Sequence, residues 1–290
     1  MKLQRLKKQL KIKQRQTARK NKASRWILPV LLLLLIAAAA VPVYQQLQKT
    51  APERLFDKAL ELESRGKIDA AQEKFRSIFT SYPQSDLAPV ALLRSGKIWH
   101  YDKRQEQRAL LEYLQLEHDY SGHSEVREAQ LSAAKIIKHS LRDYSRAIGF
   151  YQRLLDQSTV DRDQLYYEIA DCYFRLDNYS QARIELETLL EEYPQTSLLA
   201  DVLYRKGSLL LLENKLEAAR QDWQQLIEQF PENKQSIQAR FNLAQLLEEG
   251  ERLQEALKMY QELQDFPRPA LLQEKIEHLK KRIAAKKKAI

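Results

Sequence analysis

Apolar positions along this 290-residue chain follow two patterns. Residues 26–44, WILPVLLLLLIAAAAVPVY, carry no charge over nineteen positions, whereas from residue 52 onward apolar side chains recur every third or fourth position among charged ones. Nineteen helical residues at about 1.5 Å each reach across the ~30 Å hydrocarbon core of a bilayer. A segment that is apolar on every face suits lipid better than a core that buries one stripe. Trp26 and Tyr44 stand at its ends, where amphipathic rings favour the headgroup level, and Pro29 and Pro42 fall near the termini, where a lost backbone bond is easiest to satisfy. The expectation is a single transmembrane helix over 26–44.

Beyond it the periodicity repeats. An alanine recurs at Ala71, Ala109, Ala147, Ala182, Ala219 and Ala256, at separations of 38, 38, 35, 37 and 37. Four residues after each comes a large side chain (Phe75, Tyr113, Tyr151, Leu186, Trp223, Tyr260), and seven after it an aliphatic one (Ile78, Leu116, Leu154, Leu189, Leu226, Leu263). Offsets of 4 and 7 place all three on one helix face. In three copies an aromatic-proline pair follows (Tyr82-Pro83, Tyr193-Pro194, Phe230-Pro231), and proline ends a helix because it has no N–H to donate.

Twelve or thirteen residues before each alanine lies a small residue with a larger one three positions on. These pairs are Ala59 and Leu62, Gly96 and Trp99, Ala134 and Ile137, Ala170 and Tyr173, Gly207 and Leu210, Ala244 and Leu247. A small side chain lets a neighbouring helix approach closely. Turn signals separate the two helices at Arg65-Gly66-Lys67, Asp177-Asn178, Glu213-Asn214-Lys215 and Glu249-Gly250-Glu251, so each block reads as a helical hairpin. The second and third blocks require one extra residue between their helices. Thr50 as N-cap and Glu53 three residues on form a capping box that opens the first.

This pattern of small residue, alanine twelve later, large side chain four on and closing proline resembles the tetratricopeptide repeats over roughly residues 52–269. The match is fullest in the fourth block (Ala170, Tyr173, Ala182, Leu186, Pro194) and the fifth (Gly207, Leu210, Ala219, Trp223, Pro231). The aromatic residues three before the small position (Phe56, Tyr167, Tyr204, Phe241) and the Tyr-Pro-Gln-Ser or Tyr-Pro-Gln-Thr links are similar to bacterial cell-envelope members, among them the outer-membrane-assembly lipoprotein, the Tol-Pal-associated division coordinator and the ancillary subunit of the Sec translocon. The resemblance implies an all-α solenoid of about six hairpins that binds proteins or peptides on its inner face. The matching positions are Gln164, Tyr167, Asp171, Phe174 and Arg175, then Asp201, Tyr204, Ser208, Leu211 and Leu212, then Gln238, Phe241, Gln245, Glu248 and Glu249. The competing reading of Tyr167, Tyr204 and Phe241 is packing between adjacent hairpins.

Charge sets the expected topology. Residues 1–25 carry eleven Lys or Arg and no Asp or Glu, and the segment after the span offers only Lys49, so the positive-inside rule keeps the N-terminus in the cytoplasm and exports the rest. Removing those eleven charges and the six of residues 280–288 from the total of +9 leaves −8 for residues 26–279. The body is acidic, and nucleic acid is not an expected partner. The chain thus divides into a basic cytoplasmic segment (1–25), a signal anchor (26–44), a linker (45–51), the repeats (52–269) and a C-terminal capping helix with a basic tail (270–290), in which Leu271, Leu272, Ile276, Leu279 and Ile283 recur at helical spacing. This is the arrangement of a single-pass protein of the inner membrane with periplasmic repeats. A cleaved signal peptide is the alternative, since Ala38-Ala39-Ala40 ends in a small-x-small pattern.

Little here suggests chemistry. There is no phosphate loop, nucleophile elbow or zinc motif, and only His118 and His123 among five histidines are close in sequence. The lone Cys172 has no basic neighbour and reads as a packing residue. No enzyme activity, cofactor or metal is expected. The expected role is a membrane-anchored scaffold for envelope proteins, and a chaperone-like holdase for exported polypeptides is the alternative.

Overall fold

The computed structural model of the chain describes Ala40 and residues 51–157, 159–263 and 265–289. The predicted span at 26–44 lies outside them apart from Ala40, as do residues 1–25 and Thr50. Among the described residues no helix is long and apolar enough to cross a membrane. They form an all-α helical-repeat solenoid and contain no strand.

The described residues divide into two compact units, with the boundary between Glu125 and Val126. The first holds helical residues 51–64 (α1), α2 (Ile68–Ser81), α3 (Leu87–Lys97) with a π turn at Ile98–Asp102, and α4 (Glu106–Asp119). The second holds α5 (Glu125–His139), α6 (Tyr144–Gln157), α7 (Arg162–Arg175), α8 (Tyr179–Glu192), α9 (Leu199–Leu212), α10 (Leu216–Gln229), α11 (Lys234–Glu249), α12 (Leu253–Gln261) and α13 (Pro269–Ala289).

The repeated positions form the core. All six alanines of the second helices and the six large residues four places on are fully buried, and the aliphatic residues at seven are buried with them. Each hairpin closes on one residue in the left-handed region: Gly66, Arg104, Arg142, Asp177, Asn214 and Glu251, each five residues before its alanine. In four of them the next N–H bonds back across five residues to close a Schellman turn: Lys67 to Leu62, Asn178 to Tyr173, Lys215 to Leu210 and Arg252 to Leu247, at 2.8–3.0 Å. In the second and third hairpins the bond spans six residues, Gln105 to Trp99 at 2.7 Å and Asp143 to Ile137 at 3.1 Å, so the extra residue is absorbed at the end of the first helix. In the second hairpin that end is the π turn.

Gly250 does not take the left-handed position: its φ is −77°, and Glu251 beside it has φ 58°. The Schellman register, set by the helix end, selects the residue, and three of the six sites carry a long side chain that dislikes the conformation. Arg142→Gly is therefore expected to stabilise the protein by about 0.5–1 kcal/mol, net of the freer unfolded chain. A urea titration with unchanged slope checks this, and a loss of stability refutes it.

The second helices stop at Tyr82, Tyr120, Tyr193 and Phe230, all near φ −130°, and in each case an N–H three residues on bonds the aromatic residue's carbonyl. Proline follows in three of these, yet Tyr120 stops the same way before Ser121, so the turn does not depend on proline. At the C-terminal end α13 lays Leu272, Ile276 and Leu279 on Phe241, Leu253, Tyr260 and Phe266, covering the apolar surface that a further hairpin would otherwise bury.

Candidate partner-binding face

The first helices of the second unit carry a charged and aromatic cluster that spans α5, α7 and α9. Lys138 near the end of α5 is 5% exposed, an environment that a lone ammonium does not tolerate. Its Nζ donates to Glu168 Oε2 at 2.6 Å and lies 2.8 Å from Asp171 Oδ2. Asp171 in turn lies 3.0 Å from Arg205 of α9 and 3.8 Å from Arg175. Burial works against the charge on Asp171, but the hydrogen bond and charge of Lys138, with Arg205 and Arg175 behind them, hold its carboxyl below the usual range. Burial likewise opposes the Lys138 charge, and the two carboxylates outweigh it, so the ammonium is held above its ordinary value.

Aromatic rings flank the ions. The Arg205 guanidinium stands 5.8 Å from the Tyr167 ring centroid and 5.2 Å from that of Phe174. Both rings are half-buried, and the Arg175 side chain is 54% exposed. The arrangement presents adjoining apolar and charged area at fixed positions, as protein-binding surfaces do.

The residues picked out by repeat position divide into three groups. Gln164, Tyr167, Asp171, Phe174 and Arg175 come together in this cluster, with Gln164 donating to Glu168 at 3.1 Å. On α9, Asp201 accepts from Gln235 at 2.5 Å, Ser208 donates to the Tyr204 carbonyl at 2.9 Å, Tyr204 and Leu211 pack half-buried on the Trp223 cluster, and Leu212 is 54% exposed. On α11 the face is already in use. Phe241 stacks on Phe266 with centroids 4.4 Å apart, and Glu248 is 8% exposed between Lys275 and Arg282 of α13, each at 3.1 Å. Gln238 donates to Asn242 at 3.1 Å, Gln245 is half-buried and Glu249 is exposed. The open part of the surface is thus on α7 and α9, because α13 occupies the last repeat.

Repeat position alone passes over Lys138, Glu168 and Arg205. Lys138 stands four residues after Ala134, as Phe174 does after Ala170, and Glu168 and Arg205 both stand two before their small residue. The register that identified the other positions therefore contains them, once the third repeat and one more offset are included.

Among the described residues no three or more His, Cys, Asp or Glu side chains are grouped to hold a metal ion. His118 pairs with Asp119 at 2.7 Å and His123 packs edge-on to Tyr120, so the structure does not join them. Cys172 is fully buried, and burial pushes its thiol up to about 12, far from a reactive thiolate.

No curated protein matches the chain in sequence. Three solved structures share its fold at low identity. A tetratricopeptide repeat protein from Parabacteroides merdae superposes with a TM-score of 0.53 at 14% identity over 79% of this chain and 99% of that one. YrrB, described as a TPR protein with an unusual peptide-binding site, gives 0.53 at 17% over 71% and 97%, and PilW, described as a widely conserved type IV pilus biogenesis factor, gives 0.51 at 13% over 79% and 97%. A family model described as intraflagellar transport protein 56 matches residues 81–289, from the last residue of α2 through α13. With its helical repeats so matched over more than half its length, the chain belongs to the intraflagellar transport protein 56 family, whose fold here is of the tetratricopeptide type.

Proposed function

We propose that this protein is a non-enzymatic scaffold of the bacterial cell envelope, anchored in the inner membrane by residues 26–44, with its repeats on the periplasmic side. In this reading the α7 and α9 face takes a segment of a partner protein. The observation that carries it is the cluster of Tyr167, Phe174 and Arg205 beside the exposed Arg175, on first helices that α13 leaves open. The shared fold with a protein described as having a peptide-binding site and another described as a pilus biogenesis factor supports the class of role and assigns no residue. Tethering explains how a modest surface suffices, since it raises the effective concentration for membrane partners.

Crosslinking in cells followed by purification of the full chain should recover envelope proteins, and Phe174→Ala with Arg175→Glu should lower that recovery about tenfold or more. Recovery of cytosolic proteins only, or recovery unchanged in the variant, overturns the reading. A reporter enzyme active only outside the cytoplasm, fused after residue 290, tests the orientation separately. Leu176 and Leu212, 42% and 54% exposed at hairpin turns, favour a holdase as second reading. Suppression of aggregation by the full chain with broad peptide preference distinguishes it.

A further inference from the structure

In the first unit a groove opens between α2 and α4, on the second helices rather than the first. One part, a cleft of about 470 Å³, is bounded by Arg76 and Phe79 of α2, by the largely buried Trp99, and by Arg108, Leu111 and Glu112 of α4. A second cleft of about 620 Å³ continues it past Phe79 and Gln115 to Asp86 and Asp119 at the far end. From Arg108 to Asp119 the helix rises about 16 Å, the length of about five extended residues.

The floor is rigid and the rim is bipolar. Trp99 donates from Nε1 to Glu112 Oε1 at 3.0 Å and its ring centroid lies 4.2 Å from Lys103 Nζ and 4.7 Å from the Arg108 guanidinium. Glu112 gives one oxygen to that bond and lies half-buried within reach of the charge of Arg76, and the charge of Lys103 is met by Asp69, so Arg108 and Arg76 are the exposed cations of this end and Arg108 is the one that no described carboxylate offsets. Neither is within ion-pair distance of a carboxylate among the described residues. A guanidinium held over an indole by its charge still has N–H groups to offer a carboxylate. At the other end stand two carboxylates, the exposed Asp86 and Asp119, which pairs with His118 at 2.7 Å and accepts from Gln115 at 3.2 Å. Between the two lies Leu111, 67% exposed, more than any other large apolar side chain described.

We propose that this groove binds an extended segment of a partner protein that carries an acidic side chain for Arg76 and Arg108, an aliphatic side chain for Leu111 and Phe79, and a basic side chain for Asp86 and Asp119. Charge complementarity fixes the order of the three, and the apolar centre supplies contact area. This surface is separate from the α7 and α9 face, so either can fail alone.

The test uses the full chain in detergent and a fluorescein-labelled peptide, Glu-Ser-Leu-Ser-Lys, read by fluorescence anisotropy. Saturable binding is expected, weakened about tenfold or more by Arg76→Glu with Arg108→Glu, and equally by Leu111→Asp, a surface change that leaves the helical circular dichroism intact. The peptide with serine for leucine should bind at least about tenfold more weakly, while Lys258→Ala on α12 in the other unit, at a side chain 80% exposed, changes nothing. Absence of saturable binding, equal binding by the variants, or binding of a uridine oligonucleotide in place of the peptide overturns the proposal.

Discussion

Trp223→Ala is expected to destabilise the protein by about 3–5 kcal/mol, the range for removing a large buried aromatic side chain. Trp223 is fully buried on α10, it anchors the cluster of Leu203, Leu210, Leu226 and Leu243, and its Nε1 donates to the Tyr204 carbonyl at 3.2 Å. Alanine forfeits the apolar burial and the ring contacts together. In a repeat protein each hairpin contacts only its neighbours, so α9 and α11 lose the surface they pack on. The same contact is approached from the other side at Gly207, where an added Cβ would stand 2.5 Å from Trp223 Nε1. Gly207→Ala should cost about 1–3 kcal/mol through that overlap. The fourth repeat solves the same problem with Ala170 and Leu186. The double variant Gly207→Ala, Trp223→Leu copies that pair and is expected to be more stable than the sum of its single changes allows. Strict additivity in urea denaturation would show that the two side chains do not share one space.

Lys138→Met ranks second, with an expected loss of about 3 kcal/mol at neutral pH. Methionine preserves the buried stem, so the loss isolates the charge: Glu168 and Asp171 remain, 17% and 10% exposed in their side chains, without the ammonium between them. Arg205 still faces Asp171 at 3.0 Å, which keeps the loss at the lower end of the range for a broken buried pair. The pH dependence follows from the directions of the shifts. Asp171 has a folded pKa below its ordinary 3.8, so its contribution is present above that value and fades as pH falls through the lower folded one. Lys138 has a folded pKa above its ordinary 10.5, so its contribution is present below 10.5 and fades as pH rises through the higher value. The gap between wild type and Lys138→Met should therefore be widest between these limits and shrink on acidification below about 3.8. A gap independent of pH would refute the ionic account.

The repeat itself was legible because its determinants are local. Alanine at a fixed position, a large residue four on and an aliphatic residue seven on define one helix face whatever the fold, and every one of those eighteen positions is buried. The extra residue in the second and third hairpins was equally legible from spacing, since a change in length must go somewhere, and the six-residue bonds show where. Conformation at the turns was not. Gly250 is the residue whose chemistry invites a left-handed angle, yet Glu251 adopts it, because the helix end and not the side chain sets the register.

The binding face was legible only in part, for a reason of the same kind. Repeat position by itself determined that Tyr167, Asp171 and Phe174 share one face of α7, since periodicity is a property of a single helix. Only the tertiary structure decided that Lys138 and Arg205, thirty or more residues away on either side, meet Asp171, and that α13 folds back to cover Phe241 and Glu248. Which cation reaches a carboxylate, and which face stays open, depends on how neighbouring helices lie across one another, and no single helix's sequence carries that geometry.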